Sequence, residues 1–111
     1  MMNFVGKKFL FRYESGLEVT GDYMSSTELS WEALTGPSRG AKGVETIYAS
    51  EVAHNIYFIS WLEKSGVSVS QVLDLNRSQV TAFITFDAGE VRQSLFDRGT
   101  LTESPGGIGR E

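Results

Sequence analysis

The chain contains no cysteine and a single histidine, and both shortages limit its chemistry. Without cysteine there is no disulfide framework, no thiolate nucleophile and no cysteine-bound zinc or iron–sulfur centre. A metal site would have to combine His54 with carboxylates, and the sequence has no His-Glu-x-x-His or similar spacing. We therefore expect a protein that uses neither a metal nor another cofactor.

Clustered positive charge and long apolar runs are also missing. The chain has 10 lysines and arginines against 14 aspartates and glutamates, which gives a net charge of −4. An acidic domain is a poor nonspecific ligand for nucleic acid, and no apolar run approaches the roughly 18 residues of a membrane span. Residues 1–8 do not contain the apolar core of a secretory signal. We expect a cytoplasmic protein that binds neither nucleic acid nor membrane.

What the sequence does contain is a series of short alternating segments separated by turn residues, the pattern typical of β-structure. We predict strands at residues 7–13, 17–24, 27–34, 44–50, 55–62, 67–73 and 79–86, with one or two more at 91–96 and 100–103. A loop is expected at residues 36–43, and a helical turn or a bulge at 51–54. The short connections favour a meander closed into an all-β, up-and-down antiparallel barrel over residues 1–103, followed by a flexible tail at 104–111.

The interior of this barrel is expected to be aromatic, because residues two apart in a strand share a face. The inward set predicted from the first, third and fifth strands is Phe9, Phe11, Tyr13, Trp31, Tyr57, Trp61 and Glu63. The fifth strand is apolar on its other face as well, which predicts that a second subunit covers it.

Glu63 is the residue of this set that points to chemistry. A carboxyl group among aromatic rings is costly unless it is paired, hydrated or functional, and burial would raise its pKa and suit it to proton transfer. The alternative is that Glu63, which precedes the turn at residues 64–66, lies at the rim in water. A separate alternative is that the aromatic rings form an ordinary core without a cavity.

Two stretches resemble a known family. Residues 3–18 (NFVGKKFLFRYESGLE) are similar to the start of bacterial phenolic acid decarboxylases, and residues 55–66 (NIYFISWLEKSG) to their V-Y-x-V-S-W-x-E-x-x-G strand. Val67-Ser68 and Asn76 continue the resemblance. The pattern equally resembles the MoaF-like domains, named after molybdenum cofactor biosynthesis protein F, and Arg98-Gly99-Thr100 is similar to theirs. The resemblance covers most of residues 3–101 and implies a lipocalin-like (calycin) barrel, a homodimer and an interior site without cofactor.

The resemblance also implies a partial set of site residues. In the decarboxylases two tyrosines, an arginine and a glutamate carry the reaction. The glutamate matches Glu63 and the second tyrosine matches Tyr13, whereas the first tyrosine falls on Phe11. The arginine lies in a loop that is shorter here, where Arg39 is the nearest candidate. Losing the hydroxyl at Phe11 removes a hydrogen bond, a change that commonly costs about 1–3 kcal/mol.

Three functions remain open at this point. The first, which we favour because the decarboxylase set is incomplete, is a module that binds a small organic molecule. The second is a cofactor-free lyase or isomerase in which Glu63 is the general acid or base and Tyr13 positions the substrate. The third is a structural protein that dimerises through its fifth strand. The predicted ligand-binding residues are Phe9, Phe11, Trp31, Arg39, Tyr57 and Trp61.

Overall fold

A computed structural model describes residues 2–104, which form nine antiparallel strands and, within that range, no helix. The strands are β1 (Lys7–Tyr13), β2 (Glu18–Tyr23), β3 (Glu28–Ala33), β4 (Lys42–Thr46), β5 (Tyr48–Ala53), β6 (Ile56–Leu62), β7 (Ser68–Asp74), β8 (Gln79–Ala88) and β9 (Val91–Ser104). The described part of the chain accordingly has no helix that could cross a bilayer. Of the predicted tail, Ser104 ends β9 and the rest lies outside the described residues.

The nine strands form one sheet in the order β4-β3-β2-β1-β9-β8-β7-β6-β5. Strand β9 returns to pair with β1, so the two halves of the meander are joined. The edge strands β4 and β5 follow one another in the chain, and β4 also contacts β6 across the remaining gap. The sheet is therefore a nearly closed barrel, and the predicted fold class is confirmed.

Several predicted strand boundaries differ from the structure. Strand β4 begins at Lys42, so the end of the loop predicted at 36–43 is in fact part of a strand. The predicted strand 44–50 is divided into β4 and β5 at Ile47, whose buried side chain turns into the core at this corner. The predicted strands 91–96 and 100–103 are one continuous strand of 14 residues. Of the two alternatives for residues 51–54, the bulge is correct, since the pairing register of β5 and β6 shifts between Glu51 and Ala53.

Strand β9 stays paired with β1 because Gly99 permits an unusually close approach. Gly99 lies opposite Tyr13, and a Cβ atom at this position would be 2.0 Å from the carbonyl oxygen of Arg12. Any side chain here would therefore push β1 away from β9. Glycine is the residue that lets a neighbouring backbone come this near.

The alternation predicted for the first and fifth strands, now β1 and β6, is confirmed by burial. The odd-numbered side chains of these two strands are buried in the barrel: Phe9, Phe11, Tyr13, Tyr57, Ile59 and Trp61. The even-numbered side chains face outward. The two strands therefore supply much of the aromatic interior.

The N-terminal segment closes one end of the barrel. Phe4 is fully buried, and its ring meets the rings of Tyr23 and Tyr57 edge-on, with centroids 5.2 and 5.1 Å apart. The backbone N–H of Asn3 donates a hydrogen bond to the Tyr57 hydroxyl at 2.9 Å. The segment thus acts as a plug, which leaves the opposite end as the entrance.

The outer face of β6 to β9 carries apolar side chains that a single chain leaves in water. Phe58 is 43% exposed, Phe83 46% and Phe96 67%. Phe83 and Phe96 are direct partners across β8 and β9, so their side chains are neighbours on this face. The doubly apolar strand predicted from the sequence is real, and its outer face is open in the monomer.

Candidate functional site

The barrel contains a cavity of about 690 Å³. Its mouth is formed by residues 15–17 after β1, residues 36–38 after β3, and the ends of β8 and β9 that project beyond their neighbours. Small-molecule sites in proteins usually measure about 300–1,000 Å³, so this space suits an organic ligand. The alternative in which the rings pack without a cavity does not describe this interior.

Most of the cavity wall is apolar. The apolar side chains that line it come from several strands and include Phe11, Val19, Leu29, Ala33, Val69, Ile84, Phe86 and Leu95. Gly21 of β2 also lines the wall, and a Cβ atom there would lie 2.9 Å from the Phe11 ring. The width of the cavity at this level therefore depends on glycine.

A cluster of three neutral polar side chains lies inside the cavity. The Tyr23 hydroxyl donates a hydrogen bond to Gln71 Oε1 at 2.7 Å, and a second side-chain hydrogen bond joins Gln71 to the Tyr13 hydroxyl. Burial raises the pKa of both tyrosines well above their usual value. Both hydroxyls therefore stay protonated at neutral pH and can hydrogen-bond to a ligand without serving as bases.

Two indole–carboxylate pairs lie at the side of the cavity where β4 and β6 approach each other. The Trp61 Nε1–H donates to Glu63 Oε2 at 3.1 Å, and the Trp31 Nε1–H donates to Glu45 Oε2 at 2.9 Å. Burial raises the pKa of Glu63, the hydrogen bond from Trp61 opposes that shift, and the charge of Glu45 adds to it. A Cβ atom at Gly43 would be 3.1 Å from Trp31 Nε1, so glycine leaves room for the indole.

The wall carries very little formal charge. Glu63 is the only aspartate, glutamate, lysine, arginine or histidine among the lining residues of the described chain. Charges act strongly in an apolar surrounding, because the effective dielectric constant there is far below that of water. The cavity wall is therefore negatively charged when Glu63 is ionised and neutral when Glu63 is protonated.

The structure brings most of the sequence-predicted site residues together. Those that line the cavity are Phe11, Tyr13, Trp31, Trp61 and Glu63. Phe9 and Tyr57 are buried in the packed core and do not reach the cavity wall. Arg39 is exposed and does not line the cavity, although its neighbours Pro37 and Ser38 form part of the mouth.

Three polar residues of the site were not predicted. Gln71 lies between Val69 and Leu73 on the inward face of β7. An amide among apolar residues on that face could have predicted a polar group inside the barrel. Tyr23 ends the inward face of β2, and the interior set predicted from the first, third and fifth strands does not include it. Glu45 could not be placed, because its strand was predicted to begin at residue 44 and its partner strand was unknown.

Residues 5–101 match the family model described as MoaF-like. The chain belongs to the MoaF-like family. This match spans β1 to most of β9, and so includes every strand that lines the cavity. The family predicted from the sequence is confirmed.

Two individual proteins extend the comparison of this MoaF-like barrel. A "Probable phenolic acid decarboxylase" from Vibrio cholerae is 30% identical over 88 residues, which are 78% of this chain and 50% of that protein. The chain thus spans about half the length of this relative. The crystal structure of a "putative beta-lactamase" from Burkholderia vietnamiensis superposes with a TM-score of 0.82 at 26% identity, covering 91% of this chain and 95% of that one.

Proposed function

We propose that this MoaF-like barrel is a binding protein that holds an apolar or aromatic small molecule in its interior. The observation that carries the proposal is the cavity of about 690 Å³ with an apolar wall and two separate polar groupings. Apolar enclosure supplies the driving force for entry, and a few placed polar groups fix the orientation of the ligand. Tyr13, Tyr23 and Gln71 form one grouping, and Glu63 with Trp61 forms the other.

The site is well organised before any ligand arrives. Both polar groupings of the cavity already contain a protein–protein hydrogen bond, from Tyr23 to Gln71 and from Trp61 to Glu63. Because these side chains are held in place, binding a ligand costs little additional conformational entropy. This arrangement supports recognition of a defined ligand over general absorption of apolar molecules.

Intrinsic fluorescence offers a direct test. The chain has two tryptophans, Trp31 and Trp61, and both line the cavity. A ligand that enters should change their emission, so we expect a saturable response to neutral aromatic alcohols. A full panel of aromatic and aliphatic molecules that leaves the emission unchanged would contradict the proposal.

A pair of variants on β7 supplies the control. Val69→Phe adds a ring on the face that lines the cavity, whereas Val72→Phe adds the same ring on the outer face. We expect the first variant to weaken binding of any interior ligand several-fold and the second to leave it unchanged. Equal effects of both variants would place the ligand elsewhere.

A second candidate function is a cofactor-free lyase or isomerase, favoured by one observation. Glu63 lines an apolar cavity, and its desolvation raises the pKa towards the range where a carboxyl group exchanges protons at neutral pH. In this reading Glu63 transfers the proton and the Tyr13 hydroxyl positions the substrate. The named relative of this chain, a decarboxylase, supports such a reaction class.

The enzyme reading is tested with a hydroxycinnamic acid, whose decarboxylation releases CO₂ and shifts the ultraviolet absorbance. If the reading holds, turnover is measurable, Glu63→Gln abolishes it, and Glu28→Gln on the exposed side of β3 does not. Absence of turnover across hydroxycinnamic acids would leave binding as the function of the cavity.

We further propose that the protein is a cytoplasmic homodimer that buries the outer face of β6 to β9. Phe58 and Val72 are direct strand partners there, as are Phe83 and Phe96. A contiguous apolar face of this kind suits a symmetric contact with a second copy. Sedimentation should show a dimer that Phe96→Asp dissociates and that Val44→Asp, similarly exposed on β4 outside this face, leaves intact.

A further inference from the structure

The geometry points to a class of ligand: a protonated organic amine whose ammonium group lies at Glu63 and whose apolar body fills the barrel. This inference rests on the proposed binding function and narrows it. It also reverses the charge of the ligand that a phenolic acid decarboxylase would take.

The first argument is the charge of the wall. Within residues 2–104, no lysine, arginine or histidine lines the cavity, and Glu63 supplies the only formal charge. A ligand carboxylate would find no cation to pair with and would be repelled by Glu63. An ammonium group would meet an opposite charge on a half-buried carboxyl group, where the attraction is stronger than in bulk water.

The second argument is that one oxygen of the Glu63 carboxylate has no hydrogen-bond donor within the described chain. Glu63 Oε2 accepts the Trp61 indole N–H at 3.1 Å, and within the described chain Oε1 accepts no hydrogen bond. An ionised carboxylate can accept several hydrogen bonds. One oxygen is therefore fixed by the protein while the other remains available to an N–H donor from a ligand.

The third argument is what surrounds Glu63. Trp31 and Trp61 both line the cavity, and the N–H of each indole is already bonded to a carboxylate, Glu45 or Glu63. A ligand can therefore contact these indoles only through their apolar ring faces. Tryptophan forms the strongest cation–π interactions of the aromatic side chains. Glu45 adds a second negative charge behind Trp31, close enough to act on Glu63.

Arg92 is a cation near this grouping and does not neutralise it. Arg92 lies at the turn after Glu63, but its guanidinium is bonded to the Gly66 carbonyl oxygen, to the Thr85 hydroxyl and to Asp87. It is not among the residues that line the cavity. The negative charge of Glu63 is therefore left for the ligand.

Three probes with one carbon skeleton test the inference: 4-phenylbutylamine, 4-phenylbutan-1-ol and 4-phenylbutanoate, titrated calorimetrically into the full chain near pH 7. We expect the amine to bind at least tenfold more tightly than the alcohol, and the carboxylate to bind most weakly. Binding of the alcohol reports the cavity itself. If the alcohol binds and the amine binds no better, or if the carboxylate binds best, the amine inference is wrong while the binding function stands.

If none of the three binds, the amine inference fails, and the fluorescence panel described above decides whether the proposed binding function fails with it. Glu63→Gln should abolish the preference for amine over alcohol, while Glu28→Gln, outside the cavity, leaves that preference unchanged. A measurement on the unaltered chain gives the same answer without a variant. Glu63 becomes protonated as the pH falls, and Glu45 is the other carboxyl group beside it. The affinity for the amine should therefore drop, while the affinity for the alcohol should stay the same. Amine affinity that does not depend on pH over this range would overturn the assignment.

Discussion

Replacing Phe4 by alanine tests whether the N-terminal segment is part of the barrel core. Phe4 is fully buried and contacts both Tyr23 and Tyr57 edge-on. Truncating a buried phenylalanine to alanine typically costs about 3–5 kcal/mol. In a domain of this size each kcal/mol lowers Tm by roughly 4 °C, so we expect Phe4→Ala to lower Tm by about 12–20 °C.

Thermal unfolding followed by far-ultraviolet circular dichroism measures this effect, with urea unfolding as the check on free energy. Tyr48→Ala is the matched control, because Tyr48 is 72% exposed on β5, outside the proposed dimer face, and its truncation removes little buried surface. We expect the control to change the free energy of unfolding by less than about 1 kcal/mol. If Phe4→Ala unfolds at the same temperature as the unaltered chain, the segment does not close the barrel in solution and the entrance must be reconsidered.

Three further predictions concern single residues of the barrel. Because the pKa of Glu63 is raised in the folded state, its ionised form destabilises the fold at neutral pH. Glu63→Gln should therefore raise Tm near pH 7. This gain in Tm should shrink as the pH falls through the raised pKa of Glu63 and vanish below the ordinary value of 4.5. A gain in Tm that does not depend on pH would contradict this. Gly99→Ala should lower the free energy of unfolding in urea by about 1–3 kcal/mol or more, since its Cβ would overlap the Arg12 carbonyl oxygen, and wild-type stability would disprove the close approach. Tyr23→Phe leaves Gln71 Oε1 without its donor and should cost about 1–3 kcal/mol in the same assay, whereas an unchanged value would mean that water replaces the hydroxyl.

Alternation along the strands was sufficient to predict which side chains face inward. Phe11, Tyr13 and Trp61 were placed in the interior from the period of two alone, and all three are buried in the barrel. The period does not encode how far along the barrel axis a residue lies. For that reason Phe9 and Tyr57 were expected to bind ligand, although they are packed in the core away from the cavity.

Contacts between distant strands were the part that the sequence could not supply. Tyr23 and Gln71 are 48 residues apart, and their hydrogen bond exists only because β2 and β7 face each other across the barrel. The same holds for Glu45, which acts on Glu63 only because the two edges of the sheet meet. The break between β4 and β5 at Ile47 likewise depends on the core into which that side chain is buried. The continuity of β9 through Gly99 depends on the β1 backbone that lies opposite.

The resemblance to decarboxylases and the geometry of the cavity can be reconciled by comparing polar groups. Glu63 and Tyr13 occupy the cavity as the resemblance implies, but Phe11 offers no hydroxyl and Arg39 lies outside the wall. The other two members of the polar cluster inside the cavity are Tyr23 and Gln71, which are neutral. A site that exchanges a guanidinium for an amide keeps its capacity to orient a ligand and loses the charge that would hold a carboxylate. On these grounds we propose that the electrostatics of this cavity favour binding of an amine over decarboxylation of a phenolic acid.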